Sequence, residues 1–137
     1  GFVAFSPVEY GFLSGRYGSD AAFGGREDYR TVMPQFSPEG QRQNRKLLKL
    51  LRGMAEEKRA TPAQISLAWM LCKRPYIVPI PGTRKEARLA ENLGAAEISL
   101  SPEEVASIDG ALNHMEMSAV YGGAPIQGKQ AKRSNQP

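Results

Sequence analysis

Apolar residues follow two rhythms along this chain. Phe2-Val3-Ala4-Phe5-Ser6 and Tyr76-Ile77-Val78-Pro79-Ile80 are short, nearly continuous apolar runs. That is the pattern of parallel strands buried on both faces. Elsewhere apolar positions recur at helical spacing. Leu47, Leu48, Leu51, Met54 and Ala55 do so with Arg and Lys between them, which predicts an amphipathic helix. Ile65, Ala68, Trp69 and Cys72 make a second stripe, broadened by Leu67, Met70 and Leu71, and this helix should be largely buried. Val105, Ile108 and Leu112 carry a third stripe.

Local signals fix where these elements start and stop. Ser37-Pro38-Glu39 offers an N-cap with proline at the first helical position. Thr61-Pro62-Ala63-Gln64 reads as a capping box, and Ser101-Pro102-Glu103-Glu104 repeats the signature. Ser6-Pro7 ends the first strand and Arg74-Pro75 ends the second helix. The second strand runs into Pro81-Gly82, and a helix is expected from Thr83 or Arg84, closed by a left-handed Gly94. Between Tyr10 and Gln35 lie Gly11, Gly15, Gly18, Gly24 and Gly25 without a sustained period, which predicts a long loop. Beyond His114 the pattern decays into a polar end containing Lys129, Lys132 and Arg133. The expected division is therefore a folded part over residues 1–115 and a flexible tail over 116–137, with no internal repeat. Strands alternating with helices place the chain in the α/β class.

Composition narrows the function classes. A hydrophobic fraction of 41% over 137 residues, with no long apolar run, predicts neither a membrane span nor a membrane partner. The start Gly-Phe-Val-Ala-Phe reads as a strand, not a signal peptide, and without a methionine it predicts a chain that was cut or begins mid-protein. One cysteine, Cys72, precludes an intrachain disulfide and fits a reducing cytoplasm. At the end of an apolar stripe it reads as a small buried hydrophobe. The net charge of +4 is a mild excess. Arg42, Arg45, Lys46, Lys49 and Arg52 lack interleaved aromatics, which reads as a solvated helix face before a nucleic-acid surface.

One stretch suggests a ligand. A strand that passes through a glycine turn into a helix N-terminus directs free N–H groups and the positive end of the helix dipole at one spot. On a helix from Thr83 or Arg84, Arg84 and Arg88 would share a face one turn apart. Glu91 and Asn92, one turn further, would add hydrogen bonds to something longer than a phosphate. A nucleotide with an extra phosphate would suit this arrangement, and so would a simple solvated face; spacing does not separate them.

Three blocks in order do more. Val3-Ala4-Phe5-Ser6-Pro7 with Gly11, Leu13 and Gly15, then Thr61 to Leu71, then Ile77 to Arg84 with Glu91-Asn92-Leu93, closely resemble the aldo-keto reductase family near its C-terminus. The resemblance covers roughly Phe2 to Leu112. It implies a partial (β/α)8 barrel, the last two βα units, and NADP(H) as cofactor without a Rossmann domain. It further implies that Phe5 stacks on the nicotinamide and that Ser6, Val8, Gly11 and Leu13 follow the turn toward the pyrophosphate. Thr83, Arg84 and Arg88 would grip the 2′-phosphate, and Glu91 and Asn92 the adenine. Gly82 stands where some branches carry lysine, a charge Arg84 can restore. Val8 stands where leucine is commoner. Glu9 replaces a small residue and would bring a carboxylate to the pyrophosphate.

The family's Asp, Tyr, Lys and His catalytic set has no counterpart here by resemblance. His114, the sole histidine, reads as a helix C-terminal cation. Tyr10, Tyr17 and Tyr29 have no lysine near them in the chain. Two readings follow. In one, the chain is the C-terminal part of an NADPH-dependent reductase of carbonyls, binding the cofactor weakly when alone. In the other, it is a non-catalytic free-standing partial barrel, a nucleotide-binding or assembly module. In either case the open sheet edges predict a partner, a second copy or the missing N-terminal barrel part.

Overall fold

In the computed structural model, residues 1–18, 21, 23 and 28–114 are described. The expected tail and its boundary at 115 lie outside the described residues. Two strands, β1 (Phe2–Phe5) and β2 (Ile77–Ile80), pair in parallel, with Phe2 opposite Ile77 and Phe5 opposite Ile80. Pro79, opposite Ala4, has no N–H to give, which this pair tolerates because among the described residues each strand has one unpaired edge.

Helix α1 (Pro38–Lys58) starts as its sequence predicts: Ser37 Oγ accepts from the Gly40 N–H at 3.0 Å, with proline at the first turn. Gly40 is dictated by clearance, since a Cβ there would lie 2.1 Å from the Pro34 carbonyl. The helix ends at Arg59, a non-glycine C-cap in the left-handed region (φ 53°). In α2 (Pro62–Lys73) the capping box is complete, with Thr61 Oγ1 accepting from Gln64 N and Gln64 Oε1 accepting from Thr61 N. Helix α3 covers Glu86–Gly94 and α4 covers Pro102–His114. Ser101 and Glu104 exchange the same two hydrogen bonds at the start of α4.

The core lies among the helices. Leu47, Leu51, Met54 and Ala55 of α1 meet Ile65 and Ala68 of α2, and Leu100 and Ile108 close the cluster. Lys73 and the Trp69 ring nitrogen both donate to Asp109, joining α2 to α4.

Four expectations are corrected. The strands are not buried: Val3, Phe5, Val78 and Ile80 share one face by period two and are 61%, 71%, 52% and 48% exposed. A two-stranded sheet with helices on one side leaves its other side open. Cys72 and Leu71 are exposed, because they sit in the last turn of α2, beyond the Ile65–Ala68 contact. Gly94 is right-handed (φ −59°) and leads into a 3₁₀ turn, Ala95–Glu97. The described residues of the glycine-rich segment are folded, in 3₁₀ turns over Glu9–Ser14, Tyr29–Val32 and Pro34–Phe36. A second apolar core holds them, formed by Phe12, Met33, Phe36 and Leu48 with Tyr17 and Phe23 packed on it. Arg30 stacks on the Tyr17 and Phe23 rings and binds Asp28, whose carboxyl it pulls below the usual range.

Candidate functional site

A cleft of about 550 Å³ opens where β1 and β2 end, the side on which parallel α/β sheets hold their ligands. Phe5, Ser6, Pro7 and Val8 form one wall, and Ile80, Pro81, Gly82 and Thr83 form another. Arg88, Glu91 and Asn92 of α3 complete it. Every residue that the resemblance proposed lies here except Leu13 and Arg84. Leu13 is partly buried against both cores and supports the turn from beneath.

Arg84 misses the cleft because α3 begins later than expected. Thr83 Oγ1 accepts the Lys85 N–H at 3.2 Å, Lys85 is the N-cap, and Glu86 is the first helical residue. Arg84 is therefore an exposed turn residue and does not share a helix face with Arg88. No side chain caps α3, so its first N–H groups stay available to an anion beside Gly82 and Thr83.

The wall from Ser6 to Gly15 is built from unusual backbone. Ser6, Glu9 and Tyr10 have φ of 49°, 46° and 54°, followed by Gly11 at 88°. Left-handed non-glycine residues cost about 1 kcal/mol or more each and persist where surrounding contacts over-determine them. The contacts here are the Phe12 core below and Gln35 beside Glu9. Glu9 does not line the cleft. Its Oε2 accepts from Gln35 Nε2 at 3.3 Å, and burial raises its pKa. The expected carboxylate beside a pyrophosphate is thus corrected: the left-handed turn swings it away.

Glu91 is held at both ends. Its carboxylate pairs with Arg16 at 3.3 Å and its carbonyl accepts from Gln64 Nε2 at 2.9 Å. Gln64 therefore serves the capping box and tethers α3 together. A Cβ at Gly94 would approach Gln64 Nε2 to 2.7 Å, so that glycine provides clearance. Ser14, Arg16 and Ala63 also line the cleft and were not placed there from sequence, nor was Tyr10, which the sequence offered only as a tyrosine without a lysine near it. Their signals were available only in part: Arg16 follows Gly15 in the glycine-rich segment, and Ala63 sits inside the capping box. Among the described residues no group of three or more His, Cys, Asp or Glu could hold a metal, and no helix is long and apolar enough to cross a membrane. His114 stands at the end of α4, as expected, with Nδ1 2.7 Å from the Gly110 carbonyl.

The profile of the Aldo/keto reductase family matches residues 1–113. Aldo-keto reductase str7 of Strobilurus tenacellus is 41% identical over 106 residues, 77% of this chain and 31% of its own length. Aldo-keto reductase yakc of Schizosaccharomyces pombe, whose name specifies NADP(+), is 36% identical over 115 residues, 84% of this chain and 34% of its own length. A solved structure of a thermostable aldo-keto reductase with the inhibitor epalrestat is 29% identical, over 79% of this chain and 28% of that one, with a TM-score of 0.48. The chain spans about a third of the length of the curated relatives it matches.

Proposed function

This chain belongs to the aldo/keto reductase family, and from that premise we propose that it is the cofactor-binding C-terminal part of an NADPH-dependent carbonyl reductase barrel. The observation that carries the reading is the cleft, which gathers Phe5, Ser6, Thr83, Arg88, Glu91 and Asn92 from three separate stretches of sequence. The relative whose name specifies NADP(+) supports the choice of cofactor.

Phe5 offers a ring face for a nicotinamide at the end of β1. Ser6, Val8 and Gly11 line the path of a pyrophosphate. Gly82, with no heavy atom of the described residues within 4 Å of a would-be Cβ, leaves room for a phosphate beside Thr83, the first N–H groups of α3 and Arg88. Glu91 and Asn92 then face the adenine, with Glu91 kept in place by Gln64. The bound cofactor would supply hydride to a substrate carbonyl; the residues of this chain bind and orient it. Binding is weak in the isolated chain, because the cleft is completed by parts of the barrel beyond these residues.

Titration calorimetry of the purified chain with NADPH and NADH tests the reading. A 2′-phosphate gains charge-assisted hydrogen bonds that NADH cannot make, so NADPH should bind at least tenfold more tightly. Equal affinities, or no binding of either at millimolar concentration, would overturn it.

A further inference from the structure

Gln35 is 1% exposed, and among the buried side-chain atoms of the described residues its Oε1 is left without a hydrogen-bond partner. Such an orphan costs about 1–3 kcal/mol and calls for an explanation. Its amide nitrogen already faces Glu9 Oε2 at 3.3 Å. An ionised carboxylate can only accept, so it answers the Nε2–H group and leaves Oε1 unmatched. A carboxylic acid carries the missing donor: its O–H serves Oε1 while its other oxygen accepts from Nε2–H, closing a ring of two hydrogen bonds.

We propose that Glu9 sits in this fold as the neutral acid, and that the Glu9–Gln35 pair is a proton-dependent brace positioning the Val8–Gly11 wall of the cleft. Glu9 lies between two cleft-lining residues, Val8 and Tyr10, in the left-handed stretch of the turn. Its side chain is the polar link from that stretch to the 3₁₀ turn Pro34–Phe36. Ionisation removes one of the two hydrogen bonds and places a charge in a half-buried site, so the turn loosens. Gln35 is a positioning residue acting through Glu9.

Burial is the cause that raises the Glu9 carboxyl, with no charged neighbour contributing. Several titratable and charged groups on the elements around the pair have other partners, while Arg45, Lys46 and Lys49 of α1 carry no ion pair among the described residues. Tyr10 and Tyr29 meet ring to ring at 6.5 Å, and Arg30 binds Asp28 and Tyr17. Glu39 and Arg42 at the start of α1 bind each other, and Lys73, the one charged residue of α2, binds Asp109. The sign follows from linkage. A carboxyl whose folded pKa is raised contributes stability that is complete below the unfolded pKa and is lost as pH rises through the folded pKa.

Two measurements on the 137-residue chain test this. The first is the carbon-13 shift of the Glu9 carboxyl against pH, which should titrate above the chain's exposed glutamates. The second compares wild type with Glu9→Gln, whose amide keeps a two-bond pair with Gln35 at every pH. Thermal midpoints of wild type should fall relative to Glu9→Gln as pH rises from 4 to 8. A Glu9 carboxyl titrating with the exposed glutamates, or parallel stability profiles, would overturn the brace. Neither readout needs a nucleotide, so failure of cofactor binding leaves it testable. The consequence for the cleft rests on the proposed function: NADPH affinity should fall severalfold more between pH 5 and 8 in wild type than in Glu9→Gln. Taking that difference removes the cofactor phosphate's own titration near pH 6. A cleft indifferent to the substitution would reduce the pair to a stability device and overturn its positioning role.

Discussion

Arg84 and Arg88 are four residues apart in the chain, and the start of α3 separates their roles. Arg88 lines the cleft from the first turn of the helix, while Arg84 stays exposed in the turn before Lys85. A charge-assisted hydrogen bond is worth roughly 1.5–3 kcal/mol, so Arg88→Ala should weaken NADPH binding about tenfold or more. Arg84→Ala should cost less than about threefold, the effect of a screened surface charge. Fluorescence titration of both variants is the check, and equal losses would return Arg84 to the phosphate. Spacing alone suggested one helical face for both arginines, because periodicity cannot see that Thr83 Oγ1 captures the Lys85 N–H and delays the helix. That Phe5, Glu91 and Asn92 would come together was legible because the resemblance groups them, and all three line the cleft. Arg16 and the tether from Gln64 to α3 were not legible, since their partners lie 75 and 27 residues away.

At the scale of elements, helix starts were the most legible feature, because a cap is chemistry between near neighbours. Ser37, Thr61 and Ser101 all accept the predicted backbone N–H. Helix ends and glycines were less so, because their reasons are tertiary. Gly40 and Gly53 both lie inside α1, and a sequence gives no ground to distinguish them. A Cβ on Gly40 meets backbone that cannot yield, so Gly40→Ala should destabilise the chain by about 1–3 kcal/mol. Among the described residues nothing lies within 4 Å of a Cβ on Gly53, so Gly53→Ala should stabilise it by up to about 1 kcal/mol through helix propensity. Urea unfolding of the two variants reads both signs. Similar effects would mean that the approach of Pro34 to α1 is not maintained in solution. The Glu104 carboxyl, lowered by its bond to Lys58, ties α4 to α1 in the opposite pH sense to Glu9. Its stabilising contribution is present above the unfolded pKa and fades as pH falls through the folded one.

At the scale of the molecule, the cleft and the sheet have different needs. The cleft offers cations and hydrogen-bond donors to the proposed cofactor, and among the described residues no lysine lines it beside Tyr10. With no tuned proton donor among the described residues, the purified chain should not oxidise NADPH against aldehydes, ketones or quinones, since such a donor typically contributes about 10²–10⁴-fold. Turnover that follows the protein through a second chromatography step would refute this. The sheet, by contrast, needs a cover. Val3, Phe5, Val78 and Ile80 form a contiguous apolar face, and among the described residues both strands keep an unpaired edge. Parallel strands are stable when covered on both faces and paired at their edges. The chain spans about a third of its relatives, so in a longer protein the remaining barrel would supply that cover. Alone at micromolar concentration it should find the cover in a second copy, most simply as a two-fold pair joining the two sheets. Light scattering should then give a mass that rises with concentration toward the dimer. Val3 and Val78 are register partners, so Val3→Lys with Val78→Lys places two charges side by side on this face and should return the chain to monomer while the helical core stays folded. A monomeric mass at every concentration, or self-association that survives the paired lysines, would show that the exposed face is not what drives assembly.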